Sequence, residues 1–72
     1  MIKPDYYQNK NGRDLIDSFA DQMSADEFRG FMIGNIIKYL TRYRQKNGMV
    51  DLRKAETYMT RLEDYEAAQY AN

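Results

Sequence analysis

The stretch "SADEFRGFMIGNIIKYLTRYRQKNG", residues 24–48, decides the fold. It opens with Ser24 and, three residues on, Glu27, a pair able to satisfy two orphan amides at a helix start. Phe28, Met32, Ile36, Tyr39 and Tyr43 then recur along one helical face, and Ile33, Ile37 and Leu40 carry the apolar surface well round the circumference. "KNG" at 46–48 ends the run, because Asn47 or Gly48 suits the left-handed position just past a helix. The spacing predicts a helix over about 25–45. Gly30 and Gly34 lie inside it, each costing about 1 kcal/mol relative to alanine.

Working outward, Leu15, Ile16, Phe19 and Met23 predict a short helix over about 13–23, with Asp14, Asp17, Ser18 and Asp21 mostly outward. Downstream, Leu52, Ala55, Met59 and Leu62, flanked by Tyr58 and Tyr65, predict a third helix over about 50–68. The Asp51 carboxylate suits its positive N-terminal end. Residues 1–12 read as an extended arm, since Pro4 disfavours helix before it and "QNKNG" is turn chemistry; Tyr6 and Tyr7 should pack against something. Residues 69–72 should fray. The fold class is all-α: one small three-helix domain over 1–72, a helical hairpin with the short helix and the arm laid across it.

A chain of 72 residues builds a marginal core, and with no cysteine it cannot staple it by disulfides. Without cysteine or histidine a zinc site is not expected either. Self-association is the remaining supplement, and a 25–45 helix apolar over more than half its circumference calls for a second cover, expected to be another copy. The 11 basic and 11 acidic residues cancel, which argues against bulk nucleic-acid binding. The charge is uneven, however: residues 29–46 carry Arg29, Lys38, Arg42, Arg44 and Lys46 with no acid. A local anion site is compatible with that. No run has signal-peptide or membrane-span character, so the expected setting is the cytosol of whichever cell makes the chain, with no membrane partner.

On the 25–45 helix, Gly30, Gly34, Lys38 and Arg42 form one i, i+4 row with Asn35 and Thr41 beside it. Either the glycines admit another helix and the cations are solvated, or the glycines floor a flat ligand. In the second case Asn35, Lys38 and Arg42 supply donors to a base, phosphate or carboxylate. Lys54, Tyr58, Arg61 and Tyr65 form a comparable row, read either as core edge with snorkelling cations or as a stacking and phosphate-holding strip. Asp51 is a helix-start charge or an orienting partner for Lys38 or Arg42. The phosphate-loop motif G-x-x-x-x-G-K-S/T and the G-x-G-x-x-G motif are both missing, and no histidine or cysteine is present to act as base or nucleophile. No metal site or resident cofactor is expected.

The strings "PDYY", "GRDLID" and "EFRGFMIGNIIKYLTRYRQKNGMVDLRKAETYMTRL" resemble the SaV-like family, a domain of unknown function from tailed bacteriophages whose members are often named phage nucleotide kinase. The resemblance spans about residues 4–62 and covers Tyr7, Gly12, Asp17, Gly34, Asn35, Lys38, Tyr39, Arg42, Lys46, Gly48, Asp51, Leu52, Lys54, Ala55 and Tyr58. It implies a nucleotide or nucleotide-derived anion as ligand, contacted by Asn35, Lys38, Arg42 and Lys54, with Tyr7, Tyr39 or Tyr58 stacking. The implied roles are sequestration of a nucleotide signal in host–phage conflict or nucleotide metabolism. An unusual nucleoside monophosphate kinase, using magnesium with its nucleotide, is one alternative; a protein that inhibits a host enzyme is the other. The family usually has histidine-tyrosine near its start, where this chain has Tyr6-Tyr7, a departure that bears on catalysis more than on binding.

Overall fold

A computed structural model describes residues 14–70 as three helices: α1 (Leu15–Gln22), α2 (Ala25–Arg42) and α3 (Met49–Tyr70), with no strand among them. The all-α expectation holds, and its element order is the expected one. Each start has a local cause. The Asp14 side chain accepts from the Asp17 amide at 3.1 Å while Asp17 accepts from the Asp14 amide at 3.0 Å, a reciprocal cap for α1. Ser24 and Glu27 do the same for α2, at 2.9 and 3.2 Å.

The turn between α2 and α3 is shorter in helix and longer in loop than the sequence predicts. α2 ends at Arg42 rather than 44 or 45, because the Gln45 amide bonds the Arg42 carbonyl at 3.0 Å and tightens the backbone. Gly48, at φ +51°, then donates to the Tyr43 carbonyl at 2.8 Å, closing the loop in a conformation that favours glycine. α3 begins at Met49, one residue early, and stays helical through Tyr70 instead of fraying after Ala68. The expected arm over 1–12 and the last two residues of the expected frayed tail lie outside the described residues.

α2 and α3 pack antiparallel, as the ladder of contacts Phe28–Tyr65, Arg29–Glu66, Tyr39–Tyr58 and Arg42–Asp51 requires. Phe28, Met32, Ile36 and Tyr39 are buried, the stripe the spacing predicts. Complete burial of Phe28 and Met32 contributes roughly 1.5–3 kcal/mol each relative to exposure. α3 differs from expectation. Its buried positions are Ala55 and Asp51, while Met59 is half exposed, one step round from the α2-facing positions 55, 58, 62 and 65. α1 lies across the pair through the edge-on Phe19–Phe31 contact, centroids 5.0 Å apart, and through Arg61 of α3.

Arg61 corrects the reading of Asp14 and Asp17 as outward. Its guanidinium grips Asp14 at 2.6 and 2.8 Å and Asp17 at 2.9 Å, so both carboxylates are half-buried between α1 and α3. The Arg61 hydrogen bonds hold the Asp14 carboxyl far below the usual range against the opposing effect of burial, helped by the Asp17 amide and the Arg61 charge. Arg29 forks Glu66 in the same manner at 2.6 and 2.9 Å, which lowers the Glu66 pKa. Such forks fix the register between helices more than they add net stability.

Candidate functional site

Tyr39 is the centre of the site, and its position follows from the core stripe of α2. At 9% exposure it is packed inward, with its ring stacked on Tyr58 of α3 at 5.9 Å between centroids. Tyr58 in turn meets Phe31 edge-on, at 6.4 Å. Three cations converge on the Tyr39 ring: Lys38 Nζ at 4.5 Å, Arg42 Cζ at 4.9 Å and Lys54 Nζ at 5.5 Å from its centroid. Lys38 and Arg42 come from α2 and Lys54 from α3, so only the folded hairpin assembles them.

Among the described residues the set has one carboxylate. Arg42 Nε donates to Asp51 Oδ2 at 3.2 Å and its Nη2 to Oδ1 at 3.3 Å. Asp51 is completely buried and also accepts from the Asn47 amide at 3.3 Å. Burial works to raise its pKa, but the Arg42 hydrogen bonds, those from Asn47 and the Arg42 charge outweigh that and keep the carboxyl below its ordinary value. Asp51 is therefore the residue that aims Arg42, rather than only a charge at a helix start. Among the described residues neither Lys38 nor Lys54 has a carboxylate partner; each has Tyr39 instead.

Three positive charges against one negative leave a local surplus. The two ammonium groups lie within ~10 Å of each other, where like charges repel by roughly 0.4 kcal/mol in water and 1.7 kcal/mol at an effective dielectric of 20. Cation–π attraction of roughly 0.5–1 kcal/mol per contact offsets this. Ample donor capacity remains. Each ammonium has its three N–H groups, and the Arg42 guanidinium keeps its Nη1 edge.

The other sequence-predicted residues fall differently. Asn35 donates to the Phe31 carbonyl at 2.9 Å, so its amide N–H is engaged within α2. Gly30 and Gly34 are exposed, and a Cβ built on either meets nothing within 4 Å. They form an open floor that no described part of the chain fills. The Lys54–Tyr58–Arg61–Tyr65 row divides: the first two join the Tyr39 cluster, Arg61 is held by α1, and Tyr65 packs on Phe28 at 4.5 Å with Arg29 over it. Tyr7 lies outside the described residues. Phe31, absent from the predicted core stripe, is the ring that ties α1 to Tyr58; its signal was the Phe19 spacing on the neighbouring helix. A cavity of about 240 Å³ lies elsewhere, between α1 and α3 beside Ile16, Phe28, Arg61 and Tyr65. Its guanidinium is already paired with Asp14 and Asp17, which favours the Tyr39 cluster as the anion site.

Among the described residues no three histidine, cysteine, aspartate or glutamate side chains group as metal ligands, and no helix is long and apolar enough to cross a membrane. Residues 1–60 match the model of a family described as a protein of unknown function, DUF3310. The chain is 32% identical over 75 residues to the nucleotide kinase gp1.7 of Escherichia phage T7, an alignment covering 99% of this chain and 38% of that protein. It is 30% identical over 74 residues to the gene 1.7 protein of Enterobacteria phage T3, covering 97% of this chain and 45% of that one. The chain thus spans less than half the length of these curated relatives. No solved structure matches it. The matches carry the unknown-function family and its phage setting, and not the SaV-like label.

Proposed function

Because this chain belongs to the DUF3310 family, we propose that it serves its phage by binding a nucleotide or nucleotide-derived anion at Lys38, Arg42 and Lys54. The observation that carries the reading is the convergence of these three cations on Tyr39 with Asp51 as their one carboxylate. Lys38 and Lys54 meet the anion as point charges, and Arg42, aimed by Asp51, offers its free guanidinium edge. Asn35 lies one turn before Tyr39 and, with one amide N–H given to the Phe31 carbonyl, keeps its second N–H and its Oδ1 for the ligand. The setting is the cytosol of the infected bacterium, and the role is sequestration of a nucleotide signal in host–phage conflict or a step of nucleotide metabolism. The protein works as a homo-oligomer, with a second copy on the outer face of α2, where Ile33, Ile37 and Leu40 are about half exposed beside Gly30 and Gly34.

The printed name of the phage T7 relative favours a second reading, a nucleoside monophosphate kinase. Magnesium would then arrive on the phosphates, and the chain would act by positioning and charge. The apolar outer face of α2 favours a third, an inhibitor that docks on a host enzyme. Titration calorimetry with nucleoside triphosphates separates the third reading from the leading one, and a turnover assay separates the second. Lys38→Ala and Lys54→Ala should each weaken binding about tenfold with helical content unchanged, a factor matching one lost charge-assisted contact. Parent-like binding in both variants would sink the site. Turnover of a nucleoside monophosphate with ATP and magnesium would move the protein to the second reading.

A further inference from the structure

The aromatic rings at this site are committed to the core, and that limits what a ligand can offer them. Tyr39 is 9% exposed, stacked on Tyr58, and carries Lys38, Arg42 and Lys54 against its ring. Tyr58 is half-buried and also takes the edge-on contact with Phe31, which itself packs on Phe19. Phe28 and Tyr65, a further ring pair among the described residues, lie at the other end of the hairpin under Arg29. A base stacking on Tyr39 would have to displace its neighbours. What the cluster presents outward is charge: two ammonium groups with no carboxylate partner among the described residues and one guanidinium edge, drawn from two helices.

We propose that the Lys38–Arg42–Lys54 cluster recognises its ligand through a phosphate chain, a di- or triphosphate group, and does not discriminate among bases. This rests on the anion reading given above and corrects one part of it, since Tyr39 acts as the cations' platform rather than as a stacking surface. Ammonium groups brought to one ring from two helices match an anion that is multiply charged. A single phosphate, smaller and less charged, engages fewer of the donors. The surplus of two positive charges, three cations less Asp51, is neutralised by a polyphosphate and not by a neutral nucleoside.

The test is titration calorimetry of the full chain at near-physiological salt with tripolyphosphate, ATP, GTP, dTTP, AMP and adenosine. We expect tripolyphosphate and the three triphosphates to bind within about threefold of one another, AMP at least about tenfold more weakly, and adenosine not at all. Lys38→Gln and Lys54→Gln should weaken all four polyphosphate ligands by the same factor. A preference above about tenfold among the triphosphates, or a triphosphate that binds while tripolyphosphate does not, overturns this inference and leaves the anion site standing. Failure of every anion to bind overturns both. Binding of all four polyphosphate ligands unaffected by either lysine variant removes the cluster as their site.

Discussion

Replacing both Gly30 and Gly34 by alanine should stabilise the monomeric chain. Both have ordinary helical φ, since only Gly48 is left-handed among the described residues, and a Cβ on either meets nothing within 4 Å. Nothing in the described fold therefore opposes the intrinsic preference, which favours alanine over glycine by roughly 1 kcal/mol in a helix interior. Two such changes amount to roughly 2 kcal/mol, a rise in Tm of roughly 8–16 °C for a domain of this size. The assay is thermal unfolding followed by circular dichroism at concentrations where sedimentation finds only monomer. A double variant that melts below its parent under those conditions refutes the reasoning, because the glycines would then be covered by the chain itself. The same variant reports on assembly. If a second copy packs on this face of α2, the added methyl groups separate the helices, so self-association weakens while the monomer gains stability.

Gly48→Ala should act in the opposite direction, costing roughly 1–2 kcal/mol in urea unfolding because φ there is +51°. Met32→Ala, at a fully buried position, should cost about 2–5 kcal/mol by the same measurement. Stability should be level at neutral pH and fall on acidification. The Asp14, Asp51 and Glu66 pKa values are lowered in the folded chain, so the unfolded chain takes up protons first as pH drops through about 4 and the native state loses ground below it. Thermal melts between neutral and strongly acid pH check this, and a chain equally stable throughout would contradict it. Arg61→Met should release α1 ahead of the hairpin, seen as hydrogen exchange that quickens over residues 15–22 while α2 amides stay protected.

The helices and their starts were legible in the sequence because they depend on residues within one or two turns of each other. Ser24 and Glu27 cap α2 as their spacing predicts, and Gly48 ends the turn for the local reason expected. The Asp14–Asp17 cap has the same three-residue spacing and was open to the same reading; treating those acids as a solvated face passed over it. The family resemblance likewise drew attention to Lys38, Arg42, Asp51 and Lys54 without any distance between them.

Partnership across the fold was not legible. Asp51 and Arg42 are nine residues apart and meet only because the hairpin closes on a buried carboxylate. Asp14 and Arg61 are 47 apart, Arg29 and Glu66 are 37 apart, and helical periodicity carries no information at such separations. Tyr39 belongs to the core stripe by its spacing and to a ligand site by the resemblance, and only its stacking on Tyr58 shows how it is packed. By itself the sequence determined three helices, the Ser24–Glu27 cap and the α2 face that would be buried, since each of these is settled by backbone and side-chain geometry within a turn or two. Tertiary structure alone decided which cations converge, that Asp51 aims Arg42, and that no described residue covers the glycine row. Those outcomes depend on how α3 packs against α2, and packing joins residues that the chain keeps far apart.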